Sequence, residues 1–155
     1  MIYQFKITLA ETRPPVWRRV QVLDTYTFAD LHHVIQSSMG WYNCHLHSFK
    51  MADSKSKDTI KIVEIDMHDQ SFDMFRNDVE SLDENETRIS NYFTLEECKI
   101  PNRAKDTFSK AEYEYDFGDG WTHLIKLEKI IEAEGDNKDY PKCIAGKMAC
   151  PPEDW

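Results

Sequence analysis

A chain of 155 residues, 41% hydrophobic and 30% charged, is long enough to bury one core and short for two, and its 5 glycines and 6 prolines exclude collagen-like and low-complexity classes. The formal charge of -9, from 28 acidic against 19 basic residues, repels phosphate backbones, so direct nucleic-acid binding is disfavoured. The apolar runs fall well short of the roughly 20 residues that span a bilayer, and Gln4 and Lys6 interrupt any leader-like start, which predicts a cytoplasmic protein with no membrane partner.

At the N-terminus, Tyr3, Phe5, Ile7 and Leu9 alternate with Gln4, Lys6 and Thr8, the period of a strand with one buried face. Arg13-Pro14-Pro15 breaks it. Val16, Val20 and Val22 then share one face of a second strand, with Trp17, Arg19 and Gln21 on the other. Arg18 falls in the valine register, where a guanidinium needs a carboxylate or carbonyl partner; an internal ion pair with Asp116 or the Glu153-Asp154 region is the favoured reading over an anion site with Arg19.

Thr27 followed by Asp30 predicts a capping box, and Phe28, Leu31, Ile35 and Met39 recur at helical spacing before Gly40. His32 and His33 read as a solvated or half-buried helix face. The strand-like HLHSFKM comes next, giving a ββαβ start similar to the β-grasp arrangement of one helix across a mixed sheet. From Ala52 to Glu97 the periodicity weakens to an acidic, solvated excursion, with a short strand near Ile60–Ile65 and a short helix near Ile89–Cys98 as local options.

AEYEYDFGDGWTHLIKLE holds the strongest local pattern, a C-terminal β-hairpin. A two-residue Asp119-Gly120 turn would set Asp116 against His123 and mix charged with apolar residues on one face. A three-residue loop of Gly118, Asp119 and Gly120 instead pairs Phe117 with Trp121, Tyr115 with His123, Tyr113 with Ile125 and Ala111 with Leu127. That register is the expected one. These glycines read as turn geometry and not as a phosphate cradle, since no Walker lysine or helix follows. The tail, rich in Pro and Gly, predicts an ordered loop packed through Tyr140, Ile144 and Met148. The fold class is therefore α+β, a single domain with a mixed or antiparallel sheet.

His45 and His47 lie two apart on a strand, so both imidazoles point to one face, and His123 supplies a third nitrogen from the hairpin. Asp116, Asp119, Glu153 and Asp154 offer oxygen ligands or a general base, and Cys143 and Cys150 offer sulfur. A three-ligand divalent site, zinc by preference, would lower the pKa of a bound water to about 7 and permit hydrolysis. Set against this, all three histidines share faces with large apolar residues, and the chain holds no H-E-x-x-H or paired C-x-x-C motif. Packed, hydrogen-bonded histidines with no cofactor are the favoured reading. The four cysteines, at wide and uneven spacings, read as reduced thiols, Cys143 and Cys150 as small buried residues that shape a loop.

The segments PPVWRRVQV, TFADLHHVIQSSMGW, HLHSF, YEYDFGDGWTH and YPKCIAGKMACPPED, in this order, resemble the plasmid pRi ORF-three-like family along nearly the whole chain. The resemblance implies one α+β domain over residues 1–155, found on plasmids and chromosomes, with some members as passenger proteins of insertion elements under a resolvase-like label. The family pattern continues beyond PPED with a Cys-Gly-Gly segment and an aromatic tail, an extension that a chain ending at Trp155 would lack. The label does not fit the residues of a serine recombinase, for no serine precedes Ser37 and no basic helix-turn-helix is evident. A non-catalytic interaction or accessory module with a protein partner is the leading expectation, and a metal-dependent hydrolase the second.

Overall fold

The computed structural model describes residues 1–42, 46–52, 59–63, 79–95, 107–116, 120–133 and 139–149. Alternation near the N-terminus produces β1 (Ile2–Leu9), and β2 (Val16–Leu23) returns antiparallel to it, so that Phe5 faces Val20 and Ile7 faces Arg18. Helix α1 (Phe28–Met39) begins at Thr27. The Thr27 hydroxyl accepts from the Asp30 amide, and the Asp30 carboxylate accepts from the Thr27 amide at 2.9 Å. Gly40, at φ 73°, ends the helix in the left-handed region where a side chain would be strained.

The remaining strands are β3 (His47–Ala52), β4 (Thr59–Val63), β5 (Val79–Asp83), β6 (Lys110–Tyr115), β7 (Trp121–Ile131) and β8 (Lys142–Lys147), with a 3-10 turn at Ile89–Asn91. All eight join one sheet in the order β5-β4-β3-β6-β7-β1-β2-β8. The β4–β5 pair is parallel and the others are antiparallel, so the sheet is mixed and the class is α+β. The β-grasp analogy finds no confirmation in this order, because β6 and β7 separate β3 from the N-terminal pair.

One sheet face is buried under α1 and the Ile89–Phe93 segment. Phe28 of the helix packs edge-on to Phe49 at 5.2 Å and stacks on Phe93 at 5.7 Å, while Phe93 also meets Phe5 at 4.8 Å. Leu31, Ile35 and Met39 continue the buried stripe. Backbone bonds seat the helix start on the turn after β5, with the Ala29 amide donating to the Glu84 carbonyl and the Phe28 amide to the Thr87 carbonyl. Among the described residues no helix is long and apolar enough to cross a membrane.

Three sequence expectations are corrected. The acidic excursion carries β5 besides β4, the short strand its isoleucines offered, since pairing of β4 to β3 and of β5 to β4 stabilises short segments whose own periodicity is weak. The tail forms β8 because β2 offers it an unpaired edge. In the β6–β7 hairpin, Tyr115 faces Trp121, Tyr113 faces His123 and Ala111 faces Ile125, a register two residues from the expected one. Asp116, at φ 59°, turns left-handed, and its carbonyl accepts from the Gly120 amide at 2.6 Å, which closes a wider turn than three residues. A shift of two preserves the faces, so Tyr113, Tyr115, His123 and Ile125 are all buried as the apolar pattern requires.

Candidate functional site

Side chains of directly paired strand residues share a face, so the register sets two rows across the buried side. Phe49, Tyr113, His123 and Leu9 form one row, and His47, Tyr115 and Trp121 form the next. Above them α1 places His32 and Gln36 one turn apart, and both reach the same phenol. The Tyr113 hydroxyl lies 2.6 Å from His32 Nδ1 and accepts from Gln36 Nε2 at 2.9 Å. With Gln36 donating to the oxygen, the phenol proton remains free to be shared with His32 Nδ1. Burial pushes the Tyr113 ionisation well above the usual phenol range, so this proton is held at every physiological pH.

His47 completes the cluster. Its Nε2 donates to Glu84 Oε2 at 2.6 Å, and its ring stacks on that of His32 with centroids 3.4 Å apart and planes within 7°. Glu84, His47 and His32 are all buried. A carboxylate bonded to an imidazole is the pairing that orients a general base. Here it joins the turn after β5 to β3, and the stacked His32 carries the link on through Tyr113 to Gln36, so the chain of polar contacts fastens α1 to the sheet.

His123 sits on the other side of Tyr113. Its Nδ1 lies 3.3 Å from the Tyr113 carbonyl and 3.2 Å from the Trp121 carbonyl, two acceptors, which assigns the ring proton to Nδ1 and leaves a lone pair on Nε2. That Nε2 is buried without a hydrogen-bond partner, as is Trp121 Nε1. Trp41 packs against both, 5.3 Å from the His123 ring and 5.7 Å from the Trp121 ring, and also stacks on Tyr115. Burial lowers the His123 pKa to about 4, so the ring is neutral at pH 7.

His47 and His123 thus flank β6 from β3 and β7, two strand spacings apart and offset by two residues, about 12 Å along the backbone diagonal, with the Tyr113 ring between them, 6.0 Å from the His47 ring and 5.2 Å from the His123 ring. Asp116 ends β6, its amide donating to the Leu46 carbonyl. His45, Asp119, Cys150, Glu153 and Asp154 lie outside the described residues. Arg18 bonds to three carbonyls, those of Ser38 at 3.0 Å, Trp17 at 2.9 Å and Lys147 at 3.2 Å, the carbonyl alternative to the favoured ion pair with Asp116, while the Glu153-Asp154 region lies outside the described residues. The last turn of α1 presents its carbonyls there, and a cation at a helix C-terminus answers both the orphan acceptors and the dipole. Cys143 is exposed on β8 and free, which corrects its reading as a buried loop residue, because β8 is an edge strand.

His32, Gln36, Trp41 and Glu84 belong to the cluster and were missed in the sequence. The i, i+4 spacing of His32 and Gln36, beside Leu31 and Ile35 on the helix stripe, was the available signal. Glu84 carried none, being one acid in an acidic run. Among the described residues no group of three His, Cys, Asp or Glu side chains is placed to hold one metal ion. Among the described residues His123 Nε2 is a buried imidazole nitrogen without a hydrogen-bond partner.

A family model described as plasmid pRiA4b ORF-3-like protein matches residues 1–155. An uncharacterised protein of Sinorhizobium fredii, y4hQ, is 33% identical over 154 residues, which are 99% of this chain and 66% of that protein, so the chain spans just under two thirds of this relative's length. The crystal structure of a protein of unknown function from Methanosarcina mazei, MM3350, is similar with a TM-score of 0.75 and 38% identity, covering 99% of this chain and 72% of that one.

Proposed function

The chain belongs to the plasmid pRiA4b ORF-3-like family, and from that membership we propose that it is a non-catalytic interaction or accessory module of plasmid or mobile-element context, working in the cytoplasm through a protein partner. One observation carries the reading. The titratable side chains that the fold brings together, His32, His47, Glu84 and Tyr113, bond and stack with one another inside the core. Groups consumed in this way hold elements in place, and buried polar networks of this kind specify one packing. The family description supplies the plasmid context.

A metal-dependent hydrolase is the second reading, favoured by the unpartnered Nε2 of His123, whose Nδ1 proton is fixed on carbonyls as it is in many metal-ligating histidines. Metal content separates the two. Protein purified without a histidine tag and analysed by inductively coupled plasma mass spectrometry is expected to hold well under one equivalent of any divalent ion. One equivalent that survives dialysis and disappears in His123→Ala would overturn the module reading in favour of the hydrolase.

A further inference from the structure

The sheet face opposite α1 carries an ordered row of cations. Lys110 pairs with Lys126, Lys126 with Lys6, and Lys6 with Arg19, so four positive side chains lie side by side across β6, β7, β1 and β2. Like charges directly opposite one another are destabilising, and four in succession on a chain of net charge -9 call for an external compensation. Internal compensation is partial. Glu128 takes the Arg19 fork at 2.6 and 3.1 Å and also accepts from Gln4. Lys110 and Lys126 are exposed, and neither has an ion-pair partner among the described residues.

Beside the row lies an aromatic platform. Trp17 has the Lys6 ammonium 4.9 Å and the Arg19 guanidinium 5.1 Å from its ring centroid, and Lys147 is its cross-strand partner on β8. Lys6, Thr8, Pro14, Pro15, Trp17 and Lys147 enclose a hollow of about 360 Å³. Leu124, 52% exposed and paired with Thr8, extends the apolar part of this face. A hollow with an indole wall and two ammonium groups suits an apolar side chain flanked by carboxylates.

We propose that this face docks an acidic amphipathic helix of a partner protein, an inference that rests on the interaction-module reading and names its surface. Spacing selects the occupant. Four adjacent strands set the cations about 4.8 Å apart over about 14 Å, and glutamates at i, i+4, i+7 and i+11 of a helix span about 16 Å on one face. Single-stranded nucleic acid would also find cations and an indole here, but each added phosphate meets the repulsion of the whole acidic molecule, whereas a short helix brings its few charges to the row alone.

The test uses a fluorescein-labelled helical peptide with glutamates at those four positions and leucines beside them, read by fluorescence anisotropy against the untagged chain. Binding is expected to weaken about tenfold in Lys110→Glu/Lys126→Glu, two exposed sites that leave the core intact, and in Trp17→Ala. Arg88→Glu, on an exposed residue of the helix-bearing side, should change it less than twofold. Peptide affinity that is absent, or indifferent to the lysine reversals, overturns the surface and leaves the module reading standing. Tighter binding of an oligo-dT strand, sensitive to the same reversals, overturns the choice of occupant. Stoichiometric metal overturns the module reading whatever the peptide does.

Discussion

The Tyr113 oxygen is where helix and sheet meet, and its substitution isolates the polar cluster from the packing around it. Tyr113→Phe keeps the ring but leaves His32 Nδ1 and the Gln36 amide without this partner inside the core. A buried group deprived of its partner costs about 1–3 kcal/mol, so urea unfolding should show a loss in that range. His123 gives the cluster's neighbour a pH signature. Its pKa falls from 6.5 in the unfolded chain to about 4 in the fold, so between those values the unfolded chain binds a proton that the native state refuses. Stability is then full above about pH 6.5 and declines by about 3 kcal/mol as the pH falls to about 4. Glu128, held below the usual carboxylate range by the Arg19 fork, acts in the same direction but only from the carboxylate range downward. His123 therefore contributes to the decline between pH 6.5 and 5, and His123→Leu should reduce that decline in denaturation midpoints taken across the window.

Elements differ in how much of their placement is local. Helix α1 was legible in the sequence because its start, stripe and stop are all written within Thr27–Gly40, and Leu31, fully buried, tests the orientation: Leu31→Ala should cost about 2–5 kcal/mol. A loss under about 0.5 kcal/mol would mean that the stripe faces elsewhere. The β6–β7 hairpin was legible in its faces and not in its register, because apolar alternation distinguishes odd from even shifts and is blind to a shift of two. What decided the register was backbone geometry at Asp116 and Gly120, both left-handed. Gly120 has open space where a side chain would grow, so Gly120→Ala meets only the conformational penalty at φ 68°, about 1–2 kcal/mol by thermal unfolding. Strand β4 was legible only as a local option, and β5 and β8 were not legible, since their stability comes from neighbours far away in sequence. The candidate site divides the same way. His47 and His123 could be assigned to buried strand faces from spacing alone, whereas the partner of His47 arrives from the turn after β5, a contact that no local pattern encodes.

Across the whole molecule, the sheet order implies a gradient of protection. Strands β6 and β7 lie inside, each paired on both sides, and β1 is held between β7 and β2, whereas β8 pairs with β2 alone through a register shift and exposes most of its side chains. Few buried apolar contacts and one open edge are the marks of a segment that opens well below the global unfolding free energy. Arg18 opposes that opening. Its guanidinium spans from the Ser38 carbonyl at the end of α1 to the Lys147 carbonyl at the end of β8, so a single side chain ties the edge strand to the helix layer. Gly146 leaves room for it, since a Cβ at that position would come within 2.9 Å of Arg18 Cδ. Hydrogen exchange followed by mass spectrometry should find β8 amides exchanging well before those of β1 and β7. Arg18→Ala and Gly146→Ala should both speed exchange in β8 while leaving β6 and β7 unchanged. Equal acceleration in every strand would show instead that Arg18 supports the fold as a whole and that β8 does not open by itself.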